Sequence, residues 1–266
     1  MTISTVDDIA AGLAVSQKIR VLKNITACKA VGSVESSWLA VGYPGAGAAP
    51  PAYTAGSGYT CSSATAGAIP YSNAAVKNYL AKLFASSAIA GTLRIYDRLW
   101  SCGGMGFAAS TYTVTTPGSL PARITDNGLG CELWVEQFVA AGAASGTLTA
   151  NYVEPGGGAR AGVIPAVVSA PLIGQLQAVP RQVGSIGIQQ LTSMVTSATW
   201  TSGSFGATIC KNIASIEIPL AGIGKTLDWA ASGLPEIPND ACLFLMWQGG
   251  ATTATQVQTT PDIIDK

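Results

Sequence analysis

The first apolar pattern of the chain has the period of a helix. Ile9 and Leu13 share one face of this pattern, and Asp8 follows Thr5 at the spacing of a capping box. The pattern predicts a helix from Thr5 to Asn24. Two roles are open for this helix: it packs on its own domain, or it is an arm that docks on a neighbouring subunit.

A long aperiodic segment separates this pattern from a second helical one. Residues 42–70 are dominated by Gly, Ala, Pro, Ser and Thr, which predicts a loop. Loops of this length are usually functional or run over a partner, and tyrosines such as Tyr53 and Tyr59 are frequent at interfaces. Helical spacing returns from Asn73 to Phe84, where we predict one further short helix.

The period of the apolar positions then changes to two. Residues 131–139 alternate, and a turn rich in small residues joins them to a second run at 147–153, as in a β-hairpin. Further short runs follow, with Gly or Pro in nearly every gap. The sequence therefore predicts a mainly β fold, an antiparallel β-sandwich or jelly roll with an N-terminal helix and one further short helix.

These patterns divide the chain into three parts. An N-terminal helical arm spans 1–30, a β-sandwich domain that includes the long loop spans 31–250, and a polar tail spans 251–266. We expect the tail to be poorly packed, as chain ends often are.

The composition argues against most kinds of catalysis. The chain has no histidine, which removes the commonest general base and metal ligand. We therefore predict no enzyme activity, no cofactor and no metal. The chain has no run of lysine or arginine that would predict nucleic-acid binding, and no run of about 18 apolar residues that would predict a membrane span.

Low charge points to a surface that is covered in an assembly. Only 11% of the residues are charged, the net charge is zero, and the mean hydropathy is +0.36. A soluble monomer normally carries more surface charge than this. We therefore expect a homo-oligomer, most simply a trimer.

The six cysteines do not form a recognisable metal or redox motif. Their spacings are long and uneven, and no CxxC occurs. The N-terminal residues also lack the pattern of an export signal, so we predict buried, reduced thiols. Late oxidation within or between chains is the alternative.

Two carboxylates on one predicted strand were considered as a glycosidase pair. Glu132 and Glu136 fall on the same face, but four residues of extended strand separate them by about 13 Å. That distance exceeds what glycosidase mechanisms use. We predict that they belong to a solvated or interfacial face.

The densest cluster of functional residue types is the run from Tyr96 to Trp100. Asp97 and Arg98 are suited to a charge pair, within the chain or across a subunit boundary, and Trp100 to an anchor. We predict an interface or fold-locking role for this cluster and for the apolar and aromatic residues noted above. The full set is Ile9, Leu13, Tyr53, Tyr59, Tyr96, Asp97, Arg98 and Trp100.

Several motifs resemble virion structural proteins of tailed bacteriophages, of the head decoration or cement type. The similarity covers roughly residues 75 to 247. The motifs are Gly91–Trp100, Leu120–Arg123, the hairpin Thr147–Tyr152 with Arg160, and Ser197–Gly203. A different residue order at Asn151–Glu154 leaves the tail or baseplate open as an alternative location to the head.

The resemblance implies a non-enzymatic β-sandwich protein that assembles in the host cytoplasm, commonly as a trimer, on the capsid exterior. Its partner would be the major capsid protein, which it would clamp and stabilise. The alternative is a tail-associated adhesin that binds host glycans, and a third hypothesis is a glycoside hydrolase. Exposed coplanar tryptophans would favour the adhesin, and two carboxyls within about 5–10 Å in a cleft would favour the hydrolase.

Overall fold

The computed structural model describes residues 3, 5–52, 58–106, 110–114, 120–143, 146–197 and 202–265. In these residues the protein is mainly β, with antiparallel sheets and two helices. This confirms the predicted fold class, a β-sandwich or jelly-roll-like protein.

Helix α1 spans Val6–Ala14 and helix α2 spans Trp229–Ser232. The strands are β1 (Gln17–Lys18), β2 (Val21–Ile25), β3 (Val34–Ser36), β4 (Gly42–Tyr43), β5 (Tyr59–Thr60), β6 (Asn78–Ser87), β7 (Gly91–Gly106), β8 (Ser110–Thr113), β9 (Glu132–Val139), β10 (Leu148–Val153), β11 (Ala159–Ile164), β12 (Gln175–Ala178), β13 (Gln190–Thr196), β14 (Ser204–Ile218), β15 (Lys225–Asp228), β16 (Glu236–Ile237), β17 (Leu243–Gly249) and β18 (Thr255–Asp265).

The chain forms two compact units. Unit 1 comprises Met1–Gly47, Ser62–Asp97 and Ile213–Lys266, and unit 2 comprises Ala48–Cys61 and Arg98–Asn212. Strands β7 and β14 contribute residues to both units. The single sandwich domain over 31–250 stays a prediction, because shared strands do not decide whether the units fold separately.

Unit 1 contains an antiparallel sheet in the order β15-β6-β18-β2-β4, to which β1 and β16 also pair. In the same unit, β17 pairs with β3 and with the first half of β7. Apolar side chains from these strands, such as Leu83, Leu93, Ile216 and Leu245, form one core. The burial of this core is what stabilises the unit.

Unit 2 contains a four-stranded antiparallel sheet in the order β11-β10-β13-β8. Strand β9 pairs with β12 and β14, and β5 pairs with the second half of β7. A second apolar core includes Leu99, Leu133, Tyr152 and Phe205. The second run of the predicted hairpin is a strand, since Thr147–Tyr152 contains most of β10. This strand pairs with β11 and β13 rather than with β9.

The N-terminal helix begins where the sequence predicts and ends earlier. The Thr5 side chain accepts a hydrogen bond from the Asp8 backbone, and the Asp8 carboxylate accepts one from the Thr5 backbone, which completes the capping box. The prediction that the helix continues to Asn24 is wrong, because β1 and β2 form there and pair with β18. Strand β2 begins with Val21 and ends with Ile25, β-branched residues that fit a sheet better than a helix.

The predicted helix from Asn73 to Phe84 is also wrong. Most of this segment belongs to β6, which lies between β15 and β18. Leu80 and Leu83 fit the spacing of a helical face and are equally buried in the strand. The one further short helix is instead α2, which Asp228 caps at its N-terminus.

The polar tail is a central strand rather than a poorly packed end. Strand β18 pairs with β1, β2 and β6, and its alternate residues Val257, Thr259 and Ile263 are buried. The prediction for 251–266 failed because threonines and glutamines conceal the period of two.

Candidate functional site

The predicted cluster from Tyr96 to Trp100 lies in the middle of β7, and all five side chains are buried. Burial on both faces is typical of a strand with neighbours on each side. None of these side chains is accessible on the surface of the folded chain. Of the two predicted roles, this placement favours fold-locking over a direct interface.

Asp97 fixes the start of β17. Its Oδ1 accepts a hydrogen bond of 2.8 Å from the backbone nitrogen of Cys242, and both residues are buried in unit 1. A hydrogen bond from a backbone N–H to a carboxylate is charge-assisted and is stronger than one between neutral groups. This contact holds Asp97 to the strand that pairs with its own.

Arg98 forms a buried ion pair with Glu136 in unit 2. Arg98 Nη2 lies 2.6 Å from Glu136 Oε2, and neither side chain is exposed at all. The sequence suggested Asp97 as the charge partner of Arg98. The partner identified by the structure is 38 positions away, on β9.

Glu136 therefore does not belong to a solvated or interfacial face, and that prediction is wrong for this residue. Strand β9 has neighbours on both sides, with Leu176 and Gly206 directly opposite Glu136. Glu132 is partly exposed and accepts a hydrogen bond from the Trp134 indole nitrogen at 2.9 Å. Because the Glu136 side chain is completely buried and ion-paired, it is not accessible to a sugar substrate in the folded chain.

Trp100 is fully buried against a glycine. A Cβ on Gly58 would lie 2.1 Å from the indole ring, so only glycine fits there without movement. The Trp100 carbonyl accepts a hydrogen bond of 3.0 Å from Thr208 Oγ1. The backbone of Gly58, just before β5, therefore lies against the indole, and the backbone of Trp100 is hydrogen-bonded to β14.

The remaining predicted residues lie in different places. Ile9 is buried and Leu13 half-buried, and both pack beside Ile264 of β18, so α1 packs on its own unit. Tyr59 is half-buried in β5, opposite Ser101. Tyr53 lies outside the described residues.

The cysteine side chains are all buried. Burial raises the pKa of the Cys102 thiol to about 12. A thiol with so high a pKa stays protonated at neutral pH and is a poor nucleophile. Cys102 therefore acts as a small apolar residue of the core.

Glu35, which sequence reasoning missed, is a buried carboxyl in unit 1. It lies at the middle of β3, opposite Trp247, and is 1% exposed. Ser33 Oγ donates a hydrogen bond of 3.2 Å to Oε1, and Oε2 has no hydrogen-bond partner among the residues that the structure describes. Burial is the main cause that raises the pKa of Glu35 to about 7.

This raised pKa predicts that stability falls as the pH rises. The folded state favours the protonated Glu35, so its contribution is complete below the ordinary pKa of 4.5 and is lost as the pH rises through about 7. The loss corresponds to about 3 kcal/mol. In denaturant titrations at pH 4.5, 6 and 8, the free energy of unfolding of the parent protein should fall by this amount. In Glu35→Gln this fall should be absent. Glu217→Gln, which replaces an exposed carboxyl on β14, is the control, and equal profiles for both variants would contradict the assignment.

Unit 2 carries an exposed apolar surface on two neighbouring loops, which we call the apolar loop surface: Leu129, Val183 and Ile186. Leu129 lies opposite Gly187 in an isolated bridge, and the Gly130 nitrogen donates to the Ile186 carbonyl at 2.9 Å. Val183 is 96% exposed. No periodic pattern marks these residues, which is why sequence reasoning did not identify them.

Two further observations concern the described residues only. Within them, no three side chains of His, Cys, Asp or Glu are grouped so that they could hold a metal ion. None of the helices in that part of the chain is both long and apolar enough to cross a membrane.

Comparisons with known proteins give no family. No family model and no curated protein matches the chain. Among solved structures, the chain is similar to VP2 of infectious bursal disease virus in a subviral particle, at 9% identity and a TM-score of 0.22, over 94% of this chain and 80% of that one. A structure of the Gx strain of the same virus matches at 10% identity and a TM-score of 0.21, over 94% and 81%. TM-scores this low do not establish a shared fold.

Proposed function

We propose that the protein is a non-enzymatic structural component of a phage virion. The observation that carries the proposal is exposed apolar surface on a chain with very little charge. Fourteen large apolar side chains are exposed among the described residues, while 11% of the sequence is charged. Where exposed apolar residues are contiguous, they usually mark an interaction site.

The motifs that resemble phage virion proteins agree with a structural role. The run Gly91–Trp100 is the buried first part of β7, and the hairpin residues with Arg160 belong to β10 and β11. These residues determine packing and strand pairing. The buried positions from Leu99 to Trp100 and at Tyr152 suit motifs that serve the fold.

Within the virion, we propose a decoration or cement protein on the capsid exterior, assembled as a homotrimer in the host cytoplasm and bound to the major capsid protein. The binding energy would come from burial of apolar area at about 25 cal/mol per Å². Association costs of about 4–15 kcal/mol offset much of that gain. Repetition over a shell then adds avidity that a single contact lacks.

The apolar loop surface provides the test. The triple variant Leu129→Ser, Val183→Ser and Ile186→Ser should bind capsids of the same virus at least tenfold more weakly in co-sedimentation, because each serine removes apolar area from the contact. The matched control is Leu220→Ser with Ile223→Ser, which changes exposed apolar residues of unit 1. Unchanged binding by the triple variant would overturn the role of this surface.

Localisation on the particle tests the rest of the proposal. Gold-labelled antibodies against the protein should decorate heads of intact virions, and the free protein should sediment as a trimer. Labelling of tails would contradict the decoration protein and support the alternative, a tail-associated adhesin that binds host glycans. A stable monomer at micromolar concentration would contradict the trimer.

A further inference from the structure

Unit 2 has an open pocket of about 440 Å³ that no role so far uses. It is lined by residues of β10, β11 and β13 and by Gln182, which lies beyond β12. Its volume falls within the range of about 300–1,000 Å³ that small-molecule sites occupy. Size alone does not identify a ligand, so the argument depends on the polar groups in its wall.

Arg160 supplies the positive charge, and Glu154 neutralises it. Arg160 Nη2 lies 2.7 Å from Glu154 Oε1. The Arg160 Nε is buried and has no hydrogen-bond partner within the described part of the chain. A buried donor without a partner is costly, so a ligand acceptor that reached Nε would relieve that cost.

Gln182 is held rigidly at the pocket. Its backbone nitrogen donates to the Tyr152 hydroxyl at 2.9 Å, and its Oε1 accepts from the Ala161 nitrogen at 3.2 Å. These two bonds orient the amide and use its oxygen. The amide nitrogen, Nε2, makes no hydrogen bond within the described residues and is available to donate.

Hydrogen bonds also position Asn151 in the lining. Asn151 Nδ2 donates to Ser193 Oγ at 2.8 Å, and Thr192 Oγ1 donates to the Asn151 carbonyl at 2.9 Å. The Asn151 Oδ1 makes no hydrogen bond within the described residues, so it can accept one from a ligand. The pocket thus offers donors and an acceptor on preorganised side chains.

The net charge of the lining decides the class of ligand. With Arg160 paired to Glu154, the pocket has no uncompensated charge for a phosphate or a metal ion. Amide and guanidinium groups in fixed positions suit a ligand with many hydroxyl groups and no charge. We propose that this pocket binds one sugar unit of a neutral glycan. This proposal does not depend on the capsid-binding proposal, since the loop surface and the pocket are different sets of residues.

Ligand-observed NMR with millimolar glucose, galactose, mannose, N-acetylglucosamine, sialic acid and glucose 6-phosphate tests the proposal. At least one neutral sugar should give saturation transfer. Arg160→Lys keeps a cation for Glu154 and removes the Nε donor, and Gln182→Ala removes the amide, so each should weaken binding of that sugar at least tenfold. Gln256→Ala, which replaces an exposed amide on β18, should leave it unchanged.

Three results would overturn the proposal: no transfer to any neutral sugar, binding that both pocket variants leave intact, or a preference for the two acidic probes. Circular dichroism of each variant checks that the fold is kept. Because Arg160→Lys keeps a positive charge beside Glu154, a loss of sugar binding in that variant is not caused by a broken ion pair. The same variants should bind capsids as the parent protein does, so failure of one proposal is distinguishable from failure of the other.

Discussion

Replacing Glu136 by glutamine is expected to lower the free energy of unfolding by about 3–5 kcal/mol. The change keeps the shape of the side chain and removes its charge, so the buried guanidinium of Arg98 loses the carboxylate that lies 2.6 Å from it. Both side chains are completely buried, so water cannot compensate. Denaturant titration followed by tryptophan fluorescence measures the loss, since several tryptophans are in the core.

A double-mutant cycle separates the pair from its surroundings. Arg98→Met with Glu136→Leu replaces both charges by apolar groups, and its cost should be smaller than the sum of the two single changes. Lys77→Gln with Glu236→Gln is the control, because that ion pair is about half exposed and solvent screens it, so its loss should change stability little. A loss below about 1 kcal/mol for Glu136→Gln would show that the buried pair does not lock the fold.

Replacing Trp100 by alanine is expected to cost about 3–5 kcal/mol, as for other fully buried aromatic side chains. Gly58→Ala should also destabilise, by about 1–3 kcal/mol, because the new methyl group collides with the indole. In the Trp100→Ala background the same Gly58→Ala change should cost much less, since the cavity accommodates the methyl group. Denaturant titration of the three variants measures this coupling.

Gly45→Ala is the control for the glycine substitution. Nothing lies within 4 Å of a Cβ at that position, so we expect a change within about 0.5 kcal/mol. If Gly58→Ala proves equally neutral beside an intact Trp100, the indole is not enclosed as described, and Trp100 loses its assignment as a locking residue.

Local signals in the sequence predict local structure well. The capping box at Thr5 and Asp8 marks the start of α1, and the alternation in residues 131–139 predicts β9. The predicted helix from Asn73 to Phe84 failed for a physical reason. Leu80 and Leu83 suit a helix or a strand equally, and pairing with β18, which lies far away in sequence, decides between them.

The sequence reveals the cluster from Tyr96 to Trp100 but not the pairing of Arg98 with Glu136. A run such as Tyr96–Trp100 shows that charges and aromatics are concentrated, and this much can be read from sequence. The identity of Arg98's partner depends on how β7 and β9 are placed by the fold, for which the sequence has no local signal. The sequence places Glu136 on a solvated face because an alternating apolar pattern usually marks a strand with one buried and one solvated face. Both faces of β9 are buried.

The position of β18 in its sheet has a consequence for the order of synthesis. Gln256 of β18 and Asn24 of β2 are hydrogen-bonded although 232 positions separate them. The residues of unit 2 between Arg98 and Asn212 leave the ribosome long before β18 does, so that unit can form first. Until β18 emerges, β2 and β6 have open edges that can pair with a neighbouring chain. The nascent protein therefore passes through a period in which the correct strand partner of β2 and β6 does not yet exist.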